Sequence, residues 1–168
     1  MTTVVQQSPA TLARWALCLI EAALANCGRD PVNRAHVAAG QIAWDDCCGM
    51  LVVAPERVYR SRAFPAETGD EELCYGGDIT VDLMALLVRC VPVVNDRGIA
   101  PTAAALDAAY DELLGDAAVV WGAIVGATLP EEWQRANVSQ TFVGAEGGCI
   151  GVETRFTIGL PQRAWSMV

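Results

Sequence analysis

The chain has 168 residues, enough for one domain with a sizeable core, and 53% of them are hydrophobic against only 18% charged. Its formal net charge of −9 opposes phosphate backbones, so direct nucleic-acid binding is disfavoured. No apolar run reaches the roughly 18 residues that would read as a membrane span.

Residues Ser8 to Cys27 predict the first helix. Ser8 suits the N-cap, Pro9 the first helical position, and Gly28 the stop. Leu12, Trp15, Ala16, Leu19, Ala22 and Ala23 recur at helical spacing and predict its buried stripe. Residues 16–25 resemble a signal core, but Glu21 interrupts them and only Arg14 precedes them, so no targeting signal is expected. Asp30-Pro31 is a turn, and Val32 to Ala39 is expected to be a short helix or an ordered loop.

Met50 to Tyr59 predicts a strand in which Pro55 marks a bulge or an edge. Ser61 to Gly77 reads as a long connection rich in Pro, Gly and acid, of a length that is usually functional or ordered by a partner. Asp78 to Val94 predicts a long strand. Ile79, Val81, Leu83, Ala85 and Leu87 share one face; Thr80, Asp82, Met84, Leu86 and Val88 share the other. Its second half is apolar on both faces, as in a covered central strand.

Asn95 to Gly98 is a turn, and Thr102 to Leu114 predicts a second helix. Gly115-Asp116 is expected to break or bend it before a very apolar helix from Ala117 to Thr128. Residues 129–137 read as a loop around Trp133. Ser139 to Gly144 and Ile150 to Leu160 then predict a hairpin through Ala145 to Gly148. Residues 1–168 are thus expected to be a single α+β domain. It is a mainly antiparallel sheet of about four strands with two or three helices on one face, in the order α-β-loop-β-α-β-β, with the long loop at about 61–77.

The seven cysteines are the most distinctive residues. Four of them fall in Asp45-Asp46-Cys47-Cys48-Gly49, Arg89-Cys90-Val91-Pro92 and Gly147-Gly148-Cys149-Ile150-Gly151, with Cys74 apart. A structural zinc site wants close ligand pairs, whereas Cys47 and Cys48 are adjacent and the others single. A catalytic thiol needs a base, and the one histidine, His36, would have to join Cys48 with Asp45 or Asp46 in a geometry that nothing in the sequence fixes. An odd count and no targeting signal make reduced thiols the default, acting as small buried hydrophobes. A disulfide of Cys48 with Cys74 or Cys90 is the remaining alternative.

Gly147 to Gly151 leads into a strand, so it lacks the helix N-terminus that cradles phosphate. The acidic runs Asp45-Asp46 and Asp70-Glu71-Glu72 lack calcium-loop spacing. No catalytic, cofactor-binding or metal-binding residues are therefore assigned. Phe64, Trp133 and Trp165 are the candidate partner contacts, and Cys47, Cys48, Cys74 and Cys90 are candidate disulfide or buried thiols.

Several stretches together resemble one family: Trp44 to Leu51, Tyr59-Arg60-Ser61-Arg62-Ala63-Phe64-Pro65, Ile79 to Pro92, and Gly147 to Leu160. They resemble the tail terminator family of long-tailed bacteriophages, in particular the head-to-tail connector proteins of phages of actinobacteria. That resemblance implies an α+β virion subunit that forms a hexameric ring at the head-tail junction after assembly in the host cytoplasm. The ring would cap the major tail tube protein, end tube polymerisation and meet the head-side connector or stopper. DNA would pass through its lumen without sequence-specific binding, and neither an enzymatic activity, a cofactor nor a membrane is implied. The alternatives are another neck protein (stopper or adaptor), or a small cytosolic cysteine-dependent or zinc-binding α+β protein using Cys47, Cys48 and His36.

Overall fold

The computed structural model describes residues 7–40, 42–44, 49–69 and 77–162. Five strands form one mixed, mostly antiparallel sheet, with both helices on one face. Helix α1 spans Pro9–Asn26, where Ser8 Oγ accepts from the Thr11 amide as the N-cap. Its buried face is Leu12, Ala13, Ala16, Ile20 and Leu24. That face is rotated from the expected stripe: Ala22 is exposed, and Trp15, Leu19 and Ala23 are half-buried. Each fully buried Leu or Ile there contributes about 1.5–3 kcal/mol.

Strand β1 (Arg34–Val37) replaces the expected short helix or loop and pairs parallel with β2 (Met50–Ser61), Ala35 opposite Leu51. Arg34, Ala35, His36 and Val37 alternate polar and apolar, and this short run adopts strand geometry because β2 offers it a ladder, with Ala35 and Val37 on the helix side. β2 then pairs antiparallel with β3 (Asp78–Cys90), with a register shift between Pro55 and Arg57. Pro55 thus marks a bulge, beyond the stretch of β2 that β1 covers. β3 ends at Cys90, four residues before the expected Val94. It is the sheet's central strand, and its two predicted faces are the two observed ones. Val81, Leu83, Ala85 and Leu87 join the helix-side core, while Leu86 and Val88 join a smaller cluster with Met50, Val52 and Cys149 on the opposite face.

Helix α2 runs without a break from Ala103 to Gly126, capped by Thr102. The expected break at Gly115-Asp116 does not occur, and the side chains around it explain why. Asp116 is fully buried and accepts from Arg29 Nε at 2.5 Å and from Arg89 Nε at 2.7 Å. The guanidinium of Arg29 fills the space that a Cβ on residue 115 would occupy, its Nη1 lying 2.8 Å from that position. Glycine is therefore here for the arginine, and the helix carries its conformational cost.

Strand β4 (Gln134–Glu146) starts five residues before the expected Ser139, with register shifts at Ala136/Ser139 and Val143/Glu146. It hairpins into β5 (Cys149–Leu160) through Gly147 and Gly148, both at positive φ, the requirement of a tight two-residue turn. The sheet order is β1-β2-β3-β5-β4. The sheet therefore has five strands, not about four, and one parallel pair. α1 rests on β1, β2 and β3, whereas α2 rests on β3, β4 and β5.

Candidate functional site

Among the described residues, those singled out by the sequence do not converge. Phe64 lies on the sheet face away from the helices. Its ring occupies the space above Gly159, where an added Cβ would meet it at 2.5 Å. The loop around it is tied down: Tyr59 Oη donates to Pro65 O at 3.0 Å and to Asp82 at 3.3 Å, and the Thr68 amide donates to Arg60 O. Burial and the neighbouring Asp82 raise the Tyr59 phenol above its ordinary range.

Trp133 is half-buried and meets Trp15 edge-on at 6.0 Å between ring centroids, against the helix-side core. Both candidate partner contacts, Phe64 and Trp133, thus have intramolecular contacts as well. Trp165 lies outside the described residues, as do Cys47, Cys48, Cys74, Asp45, Asp46 and Asp70-Glu71-Glu72.

Cys90 and Cys149 are each disulfide-bonded, which corrects the default of reduced, space-filling thiols; Cys90 is one of the expected disulfide candidates and Cys149 is not. They are register partners at the same end of β3 and β5. Cys18 and Cys27 are free and exposed on and just after α1. His36 stands on β1, its buried Nδ1 without a hydrogen-bond partner among the described residues. Among the described residues no group of three or more His, Cys, Asp or Glu could hold a metal ion, and no helix is long and apolar enough to cross a membrane.

The sheet face away from the helices carries an open concavity of about 540 Å³, with Met84, Leu86 and Trp44 among its walls. Arg155 stands at its rim between Glu56 at 3.2 Å and Glu153 at 2.7 Å. The hydrogen bond to Glu56 first, then that to Glu153, raises the guanidinium above its usual value. These half-exposed pairs are already mutually satisfied, and each is worth well under about 1 kcal/mol.

A different region is unsatisfied. Tyr110, Leu114, Trp121 and Val125 of α2 are 39%, 52%, 40% and 41% exposed. At about 100° per residue they fall within one sector about 60° wide. The sheet-facing residues Leu113, Ala117, Val120 and Ile124 lie to one side of that sector. Gly122, Ala123 and Gly126, which line the groove against α1, lie beyond those. The apolar stripe therefore points away from α1, over the β4 edge of the sheet. Phe142 of β4, 51% exposed, is on the same helix-side face as its partner Val152.

Two ties hold this flank in place. Gln140 Nε2 donates to Ala117 O at 2.9 Å and to Thr154 at 3.0 Å, and Arg135 caps the end of α2 by donating to Ala127 O and Val125 O. Five large apolar side chains on one rigid flank are what a partner surface presents. Little in the sequence marks it, because Tyr110 reads equally well as core.

Compared with known families and curated proteins, the chain matches no family model and no curated sequence.

Proposed function

We propose that the chain is a structural subunit of a bacteriophage neck, acting as a tail terminator. In this reading its copies close into a ring, hexameric as the resemblance implies, that caps the last ring of tail tube protein, stops polymerisation and presents a surface to the head-side connector. The observation that carries it is the apolar flank built by Tyr110, Leu114, Trp121, Val125 and Phe142 on a chain that is 53% hydrophobic. A subunit of a permanent ring must bury apolar surface on its sides, and exposed Trp, Tyr and Phe are the residues that dominate such contacts.

The α+β order and the long β2–β3 connection are compatible with that role. The net charge of −9 suits a lumen through which duplex DNA slides without being held. On this reading the protein resides at the head-tail junction of the virion, needs no cofactor and performs no catalysis.

The test is to add the purified protein to polymerising tail tube protein and measure tube lengths by electron microscopy, alongside native mass spectrometry. Shorter tubes with a ring at one end, and a ring-sized mass, are the expected results. Unchanged tube lengths at saturating protein would overturn the proposal.

A further inference from the structure

We propose that the β4 flank docks onto the β1 flank of a second copy of this chain, so that one continuous sheet crosses the contact through an antiparallel strand pair. The inference deepens the ring reading and rests on it for closure, but the contact itself follows from the sheet.

The two edges are at opposite ends of the order β1-β2-β3-β5-β4. β1 is parallel to β2, and each of the next three pairings is antiparallel, so β4 runs opposite to β1. A second copy carried along the sheet therefore brings its β1 beside β4 in the antiparallel sense, and the ladder extends without inversion. Natural edges are usually blunted by charge or proline. Residues 138–145 of β4, Val-Ser-Gln-Thr-Phe-Val-Gly-Ala, contain neither. Between its two register shifts, from Ser139 to Val143, this edge is open to strand addition.

The side chains fit at the same level. Phe142 is level with Val152, Leu87, Leu51 and Ala35 across the sheet. In the extended sheet Phe142 would thus meet the small Ala35 of the second copy, on the same face as the helices. Thr141 would meet His36 and Val143 would meet Arg34, so no like charges oppose one another. On the other face Glu146 sits diagonally from Arg34 of the second copy, within reach of a long side chain and of opposite sign.

The helices agree with the strands. α2 overhangs β4 and α1 overhangs β1. Tyr110, Leu114, Trp121 and Val125 would therefore face α1 of the second copy and lose the exposure they now have. The contact joins two different surfaces, so it is heterologous: it closes into a ring or runs on as a filament, and does not stop at a dimer.

The test is sedimentation equilibrium on the full chain, with circular dichroism to show that each variant is folded. Wild type is expected to self-associate. Phe142→Lys and Trp121→Glu, both at exposed positions, should each weaken association at least about tenfold. Glu146→Arg should weaken it, and adding Arg34→Glu should recover most of the loss. A wild-type monomer at all concentrations overturns the proposal, as does association insensitive to Phe142→Lys and Trp121→Glu. Association that needs Phe142, in a protein that leaves tail tubes unchanged, supports this contact and overturns the neck reading alone.

Discussion

Replacing Asp116 by Ala tests the interaction that most determines how α2 sits on the sheet. Asp116 is fully buried, and the Arg89 side chain that bonds it is only 6% exposed. Arg89 also donates to Asp30 O at 2.7 Å and Pro31 O at 3.3 Å, which joins the end of α1, the end of β3 and the middle of α2. Arg29, 26% exposed, supplies the second bond to the carboxylate and reaches Glu112 O as well. The bond to Asp116 is the largest reason that the Arg29 guanidinium is held above its ordinary value.

Removing one partner of a buried pair leaves the other charge desolvated, which costs about 3–5 kcal/mol. For a domain of this size each kcal/mol moves Tm by about 2–4 °C, so Asp116→Ala should lower Tm by about 6–20 °C. Arg29→Gln should cost far less, because its head is partly hydrated and Arg89 still answers the carboxylate. Replacing Asp116 and Arg89 together by Leu and Met should recover much of the loss, since the buried orphan charge of Arg89 is gone and Arg29, 26% exposed, can still be hydrated. Urea melts with a common slope provide the free energies. A loss below about 1 kcal/mol for Asp116→Ala, or no recovery in the double variant, would refute the reasoning.

Two further outcomes follow from neighbouring features. Gly122→Ala should raise stability by about 0.5–1 kcal/mol, because nothing lies within 4 Å of the added methyl and the helix loses a flexible residue. Gly115→Ala should destabilise despite the same helical gain, because the methyl evicts the Arg29 guanidinium; equal effects in thermal melts would count against that account. The Tyr59 phenol titrates above its ordinary 10.0, so the folded state holds the proton longer than the unfolded one. Its contribution is complete below pH about 10 and declines as pH rises from there through the folded value. Wild type should therefore lose stability across that range more steeply than Tyr59→Phe; parallel alkaline melts would contradict the assignment.

Where a segment's own pattern matches its place in the fold, the sequence is readable. Ser8 and Pro9 start α1, Gly147-Gly148 closes the β4–β5 hairpin, and strict alternation separates the two faces of β3. Where the decisive partner is distant in the chain, it is not. β1 alternates over only four residues, Arg34 to Val37, a run too short to stand out, and it is a strand because Met50–Val53 lie beside it. Gly115-Asp116 looks like a helix breaker until Arg29 and Arg89 arrive from α1's end and β3. Phe64 and Trp133 look like free aromatics until Gly159 and Trp15 are placed against them.

The candidate surface follows the same division. Helical spacing puts Tyr110, Leu114, Trp121 and Val125 on one side only because α2 runs unbroken through Gly115-Asp116, and the composition of 138–145 marks an unprotected edge only because β4 ends the sheet. Neither fact says which side of α2 is left bare. The sheet order decided that by placing α1 over β1 and α2 over β4, so that the stripe and the open edge fall on one flank. Local sequence determines periodicity, caps and turns, because those depend on neighbours a few residues away. Which apolar face stays exposed depends on the whole packing, and only the tertiary structure contains it.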